Sequence, residues 1–464
     1  MKRIFFSLVL IFCLISPVIS PANAKNEVGI SKTEILLGAT NRQNTATTSY
    51  PQDFFTGAQA YFDYLNSKGG IQGRKIRLIL RDDKGLTQYA VNEANNLLSR
   101  DKVFALFNSA SFTSGHLAMA SYLKLNDRNI PNLAVTETFS QFSDPGKYKT
   151  TFQAAPNNRQ EFAVLLHFLE KSFSTTPFNA SLPGDDTKTD FKAIHQASTK
   201  NLGTVPFSFP NSLGCPGIPY FQNNAGVLSL WRTHCGGPLA SLVISDAYPL
   251  LIRGNSISTP LGAWQVASTL SKNLYANFYM PLHTDLQDPY IEFFTKVFKE
   301  FIPNLDFSLE IQIDSPKSSF NYVSQQMYEG ANSAYVLSQA IAALGPQPTR
   351  AGLIAYLRDN SKSLSSATFH PVDYSSGSNI GNTIQYIAKY DGSKWVKVSD
   401  YYLINPSGTS IQVVSPQRKP ILPDGLPVTK RAEQSANSIT CMKKKTTKQV
   451  TGTNPKCPAG YKKM

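Results

Sequence analysis

Two short polar clusters hold the residues best suited to chemistry: Ser109-Ala110-Ser111 and Thr136-Glu137-Thr138. Each follows a short apolar run that reads as a buried strand, so each sits at a strand's carboxyl end. Hydroxyls and backbone N–H groups at such ends donate to a carboxylate. Glu137 either accepts from an ammonium or points to solvent. This is recognition chemistry. The sequence holds no GxSxG, no HExxH, no histidine pair at ligand spacing and no CxxC, so the patterns of a hydrolase or a metal site are missing. We expect no enzyme, no metal and no cofactor. Ser and Thr at strand ends also serve as helix caps worth about 1 kcal/mol each, which is the structural alternative for both clusters.

The surrounding pattern says what positions them. Ile35 to Gly38 read as a strand. Phe54, Ala58, Tyr61, Phe62 and Leu65 recur at helical spacing, and Gly69-Gly70 ends that helix. Strands at 76–80, 103–107 and 133–135 alternate with helices at about 87–98, capped by Thr87, and 117–123. This βαβαβαβ order predicts a parallel, doubly wound sheet. Ligands bind at the carboxyl ends of such strands, which selects loops 39–50, 108–114 and 136–140. Further on, strands are expected at 242–245 and 273–280, and helices at 289–301, 325–344 and, capped by Thr349, to about 358. A hairpin turns about Asp391-Gly392. Residues 178–238 are rich in Pro, Gly, Asn and Ser and resist assignment.

Length, charge and cysteines set the bounds. A chain of 464 residues exceeds one compact core. With 41% hydrophobic and 16% charged residues it is not a mostly disordered one. The net charge of +14 is uneven. Residues 417–464 hold eleven Lys and Arg against two acids, while residues 25–416 carry only +3. The body thus gives no reason to expect nucleic acid. Lys2 and Arg3, the apolar run from Ile4 to Ile15 and Ala22-Asn23-Ala24 read as a cleaved secretory signal over 1–24. That leaves Cys215, Cys235, Cys441 and Cys457, an even number suited to two disulfides outside the cytoplasm. Three pairings are open, and sequence proximity favours Cys215–Cys235 and Cys441–Cys457. Closing the 15 residues between the latter pair would restrain the unfolded tail by ~3 kcal/mol.

One family resembles this chain. Phe55-Thr56-Gly57-Ala58, Tyr61 to Asn66 and Gly69-Gly70-Ile71-Gln72-Gly73-Arg74-Lys75 are similar to type I periplasmic ligand-binding proteins, in particular the branched-chain amino-acid-binding components of ABC importers. Leu78 to Asp83, Lys102 to Phe107, Ile130-Pro131 and Ser143-Asp144-Pro145 continue the likeness. It covers residues 28–165 closely, 270–402 loosely and 178–240 hardly at all. It implies two α/β lobes, each a parallel sheet flanked by helices, joined by three crossings near 152–157, near Pro281 and before the final hairpin. The implied organisation is a first lobe over 25–153 and 282–381, a second over 154–281, a final hairpin and crossing over 382–415 and a basic tail over 416–464.

The resemblance also assigns roles. It places Ser109, Ala110 and Ser111 on a ligand carboxylate and Thr136, Glu137 and Thr138 at a second contact. Tyr50 matches an aromatic of the first loop that packs on the ligand or walls the cleft. Asn41-Arg42-Gln43-Asn44 departs from the family's Pro-Leu-Ser-Gly type turn, and Arg42 either favours an anionic ligand or is simply solvated. Asp246, Tyr248 and Tyr328 are weak candidates for the second lobe's contacts. The expected function is extracytoplasmic capture of a small amino-acid-like or related polar ligand for an ABC permease, by a monomer. The alternative is a ligand-sensing or non-binding cell-envelope protein on the same fold. The tail is expected either to be solvated or to adhere to anionic cell-wall polymers or lipid headgroups.

Overall fold

A computed structural model describes residues 27–43, 50–110, 113–173, 274–307, 323–375, 377–391 and 394–427. It also describes residues 178–181, 193–194, 207–208, 226–229, 250–252, 437–443, 446–452, 457 and 461–463. The expected signal segment, the 242–245 strand, Ser111, Cys215, Cys235, Asp246 and Tyr248 lie outside these residues, as does the Tyr50 side chain.

The first sheet is built by β1 (Glu34–Asn41), β2 (Lys75–Asp82), β3 (Ala105–Phe107), β4 (Asn132–Val135) and β5 (Thr151–Gln153). All are parallel, in the order β2-β1-β3-β4-β5. Alternation sorts their side chains. Ile35, Leu37, Ala105 and Phe107 join one core, while Leu36, Ile79 and Leu106 face another. The second core is covered by α2 (Thr87–Ser99) and α3 (Thr113–Tyr122). The first is covered by α1 (Tyr50–Ser67) together with three helices from far along the chain. Thr87 does not cap α2. Leu86 occupies the cap position without a side-chain bond, and the Thr87 hydroxyl meets that of Ser114 at 2.7 Å.

After β5 the chain enters a second sheet through α4 (Asn158–Phe173), β6 (Phe178–Ser181), β7 (Phe207–Ser208), β8 (Gly226–Ser229), β9 (Leu250–Ile252) and β10 (Leu274–Phe278). It returns to the first lobe for α5 (Pro289–Phe301), α6 (Gln325–Ala343) and α7 (Arg350–Asn360). A third passage leads back to β11 (Ile384–Tyr390), β12 (Trp395–Lys397), β13 (Tyr401–Ile404) and β14 (Ile411–Val414). The second sheet runs β14-β13-β11-β10-β9-β8-β6-β7. Its β6–β10 part is parallel, and β11, β13 and β14 join it antiparallel. Phe162, Leu165 and Leu169 of α4 pack against Tyr275, Ile387 and Tyr402.

The α1–α6 crossing is unusually close. A Cβ on Gly57 would lie 1.8 Å from the Met327 carbonyl oxygen, and one on Gly330 would lie 1.8 Å from that of Phe54. Only hydrogen at both positions lets the two backbones touch. This contact locks the late helix α6 onto the first βα unit, so the first lobe is assembled from both ends of the chain.

The segment after Pro416 was expected to begin a linker and tail. Residues 417–427 instead return to the first lobe as a strap. Four tyrosine hydroxyls hold it. Those of Tyr290, Tyr64 and Tyr61 donate to the carbonyls of Lys419 (2.8 Å), Asp424 (2.6 Å) and Gly425 (2.9 Å). That of Tyr335 accepts the Leu422 N–H at 2.9 Å. Arg418 pairs with Asp288, the residue that caps α5, and stacks over Tyr290. Ile421, Leu422 and Leu426 pack on the first-lobe core. Beyond the strap, β15 (Asn437–Lys443), β16 (Thr446–Gly452) and β17 (Lys462–Lys463) form a separate three-stranded antiparallel sheet. The tail is therefore partly a piece of the first lobe and partly a small sheet. No helix among the described residues is long and apolar enough to cross a membrane.

Candidate functional site

The carboxyl ends of β1, β3 and β4 lie side by side. They bring together Thr40, the turn Asn108-Ser109-Ala110 and Thr136-Glu137-Thr138. Ser109 is fully buried, and its oxygen accepts the Thr40 N–H at 3.0 Å. The Ala110 N–H donates to the Thr40 carbonyl at 2.9 Å. Ala110 has φ +94° and Asn108 has φ +46°, conformations that non-glycine residues hold only where surrounding bonds enforce them. Ser109, assigned by resemblance to a ligand carboxylate, thus spends its oxygen on shaping this turn.

Thr136 is held by Asn108. Its N–H and its hydroxyl both donate to Asn108 Oδ1 at 3.1 Å. Thr138 looks the other way, its hydroxyl donating to Asn158 Oδ1 at 2.8 Å while its carbonyl accepts the Asn158 N–H at 2.7 Å. Asn158 begins α4, so Thr138 ties the first lobe to the second. Glu137 is buried between them. Its Oε1 accepts the Thr138 N–H at 3.2 Å, and its carbonyl accepts Gln153 Nε2 at 2.7 Å. Asp83 is buried beside Thr40, and Arg42 is half-buried at the end of β1.

The three passages between the sheets converge on a second polar cluster. Asn277, at the end of β10, donates from Nδ2 to Gln385 Oε1 (2.6 Å) on β11 and to Glu161 Oε1 (3.4 Å) on α4. All three side chains are buried. Gln385 Nε2 has no hydrogen-bond partner among the described residues. Glu329, one turn into α6 of the first lobe, faces this cluster. Burial pushes its carboxyl up to about 8, the Tyr279 hydroxyl bond partly offsets this, and the negative charge of Glu161 adds to the rise. Glu329 is therefore protonated at neutral pH. Beside it Gln325 clamps the second passage. It takes the His283 N–H on Oε1 (2.8 Å) and gives Nε2 to the Pro281 carbonyl (2.9 Å). Burial lowers the His283 imidazole to about 4, so it is neutral.

The third passage is tied to the first. The Gln153 N–H donates to the Asn379 carbonyl (2.8 Å), the Gly381 N–H donates to the Gln153 carbonyl (3.1 Å), and Arg358 stacks 4.3 Å over Phe152. A cavity of about 50 Å³ lies beside these strands. Its lining includes Leu133, Phe152, Asn332, Tyr374 and Asn382. It belongs to the interior of the first lobe rather than to the strand ends.

Sequence reasoning picked the strand-end clusters but missed their partners. Thr40, Asn108 and Asn158 carry as much of the geometry as Ser109 and Thr136. It also missed Glu161, Asn277, Glu329 and Gln385. A usable signal existed, since Asn277 and Glu329 interrupt apolar patterns that read as buried. Tyr328, offered as a contact of the second lobe, is a first-lobe core residue. Its hydroxyl meets Thr295 at 2.7 Å, its ring lies 4.9 Å from Phe298, and burial raises its phenol to about 12. Among the described residues no His, Cys, Asp and Glu cluster is placed to hold a metal.

Comparison with known proteins places this geometry. A sequence profile for the family described as periplasmic binding protein matches residues 34–201. An amino acid binding protein of Pseudomonas aeruginosa is 32% identical over 73 residues, 16% of this chain and 20% of the relative. A Leu/Ile/Val-binding protein homolog of Brucella abortus is 28% identical over 118 residues, 25% of this chain and 28% of the relative. The matched stretch thus spans under a third of either relative's length. The structure of a branched-chain amino acid ABC transporter protein of Thermus thermophilus with bound valine superposes with a TM-score of 0.63. That match is 12% identical and covers 82% of this chain and 98% of the other.

Proposed function

From a two-lobed type I periplasmic-binding-protein fold, similar to the branched-chain amino-acid-binding proteins, we propose that this protein captures a small polar, amino-acid-like solute between its lobes. In this reading it works outside the cytoplasmic membrane, as a monomer, and hands the solute to an ABC importer without transforming it. The observation that carries the proposal is the convergence of two polar clusters where the chain passes between its sheets. The strand ends present Thr136, Glu137 and Thr138 beside the turn that Ser109 and Ala110 shape. The lobe junction presents Glu161, Glu329 and Gln385. An ammonium suits the Glu161 carboxylate, the protonated Glu329 can donate its proton to an acceptor, and the Gln385 Nε2 donor is available to another. Closure on a solute contacting both clusters would shift the lobes toward the closed state in proportion to its preference for that state.

The remaining assignments belong to the same proposal. Tyr50 and Ser111 complete the first-lobe contacts. Residues 25–153 and 282–381 make one lobe, and 154–281 with 382–415 the other. Residues 1–24 direct export. Cys441 pairs with Cys457, and Cys215 with Cys235. The disulfide-bonded state of Cys457 supports the first pair.

A second reading has an observation in its favour. The hydroxyls of Thr136 and Thr138 and the oxygen of Ser109 are all engaged inside the chain, as in an envelope protein on this fold that no longer binds a solute. Thr136→Ala and Glu137→Gln separate the two. If the strand ends bind, calorimetric titration with the preferred solute should show at least tenfold weaker binding for one of them. Unchanged affinity in both would remove the strand ends from the site.

A further inference from the structure

Half of the formal charge of +14 lies between Asn437 and Met464, a stretch with seven lysines and no aspartate or glutamate. It is also folded. β15 pairs antiparallel with β16 from Asn437↔Gly452 to Lys443↔Thr446, and β17 adds to its other edge through Met442↔Lys462 and Cys441↔Lys463. The register divides the sheet into two ends. At one end Asn437, Ser438, Ile439 and Thr440 stand opposite Gly452, Thr451, Val450 and Gln449, all uncharged. At the other end Lys448, Cys441 and Lys463 share a row, Thr447, Met442 and Lys462 the next, and Lys443 and Thr446 the third.

Lys443, Lys448 and Lys463 thus fall on one face of the sheet, in rows about 6.8 Å apart on strands about 4.8 Å apart, and Lys462 falls on the opposite face of the same end. Like charges so placed repel one another and weaken the sheet. No acidic residue in the segment offsets them. A bound polyanion would turn this repulsion into attraction, because its own closely spaced charges would replace diffuse counterions.

We infer that the lysine-bearing end of this C-terminal sheet is a docking site for an anionic polymer with repeating phosphate groups, held independently of the solute cleft. A polymer fits better than a bilayer. Residues 437–464 contain no Trp, Phe or Leu to insert among lipids. It also fits better than nucleic acid, since Tyr461 is the segment's one aromatic and stacking platforms need several.

The test uses the full chain and long-chain inorganic polyphosphate as the probe, with anionic phosphatidylglycerol vesicles and single-stranded DNA as parallel arms. Wild type should bind polyphosphate, more tightly than either alternative and with affinity falling steeply as salt rises. Replacing Lys443, Lys448, Lys462 and Lys463 together by Gln should weaken binding at least tenfold. Replacing the same four by Arg should preserve it, and a chain ending at Pro427 should lose it. The unfolding midpoint of the lobes should be the same in all four proteins. Equal affinity in the Gln variant or the shortened chain overturns the site. Loss of affinity in the Arg variant overturns the role of charge. Tighter binding to vesicles or DNA overturns the assigned partner.

Discussion

Glu329→Gln should change how stability depends on pH. The folded protein holds the Glu329 carboxyl at about 8 against 4.5 for the free group. Between those values the folded state keeps a proton that the unfolded state releases. Wild-type stability therefore carries its full contribution below pH 4.5 and loses it as pH rises to 8, at about 1.4 kcal/mol per unit. The shift corresponds to on the order of 5 kcal/mol in all, and to about 3 kcal/mol between pH 5 and pH 8. Gln keeps the shape and can still accept the Tyr279 hydroxyl, but it does not titrate. Urea midpoints for wild type and variant, taken across pH 5 to 9, should therefore diverge. The variant should gain on wild type as pH rises, and the gap should level off above pH 8. Parallel profiles would mean that Glu329 is not buried against Glu161 as described, and the account of the lobe junction would fail with it.

Other perturbations test the same architecture. His283 is lowered to about 4 from 6.5, so its contribution is present above pH 6.5 and lost as pH falls to 4. In the Glu329→Gln background, where the opposing group is gone, urea midpoints should fall over that window by on the order of 3 kcal/mol. A further change, His283→Gln, should flatten the fall. Gly57→Ala and Gly330→Ala should each cost about 3 kcal/mol or more in chemical denaturation, because a methyl meets backbone rather than a movable side chain. Their effects should be less than additive, since either one already opens the contact. Truncation after Pro416 should lower the thermal midpoint, since it removes the strap's four tyrosine bonds and the Arg418–Asp288 pair, worth several kcal/mol together. Truncation after Pro427 should leave the midpoint unchanged.

Much of the first lobe was legible because its elements obey simple periodicities. Phe54, Ala58, Tyr61 and Leu65 mark a helix face. Short apolar runs mark strands buried on both faces, and the pattern from Pro289 to Phe301 bounded a helix that the structure shows capped by Asp288. The strand-end clusters followed from the same topology. What escaped is what carries no period. Ile421, Leu422 and Leu426 are spaced by prolines and pack as an extended strap, so they read as a linker. The C-terminal sheet alternates Thr, Lys, Gln and Ser rather than apolar and polar residues, so no half-buried strand was visible. The lobe junction is built from residues on four separate elements, Glu161, Asn277, Glu329 and Gln385, at least 52 positions apart, and their meeting is a property of the three passages rather than of any local pattern.

The central claim is that the cleft binds a solute. A thermal-shift screen of the full chain against amino acids, amides and small carboxylic acids tests it most directly. At least one compound should raise the unfolding midpoint, with a shift that keeps growing with the logarithm of its concentration above saturation. No shift from any compound at millimolar concentration would contradict the claim and leave a cell-envelope protein that keeps the fold without the binding.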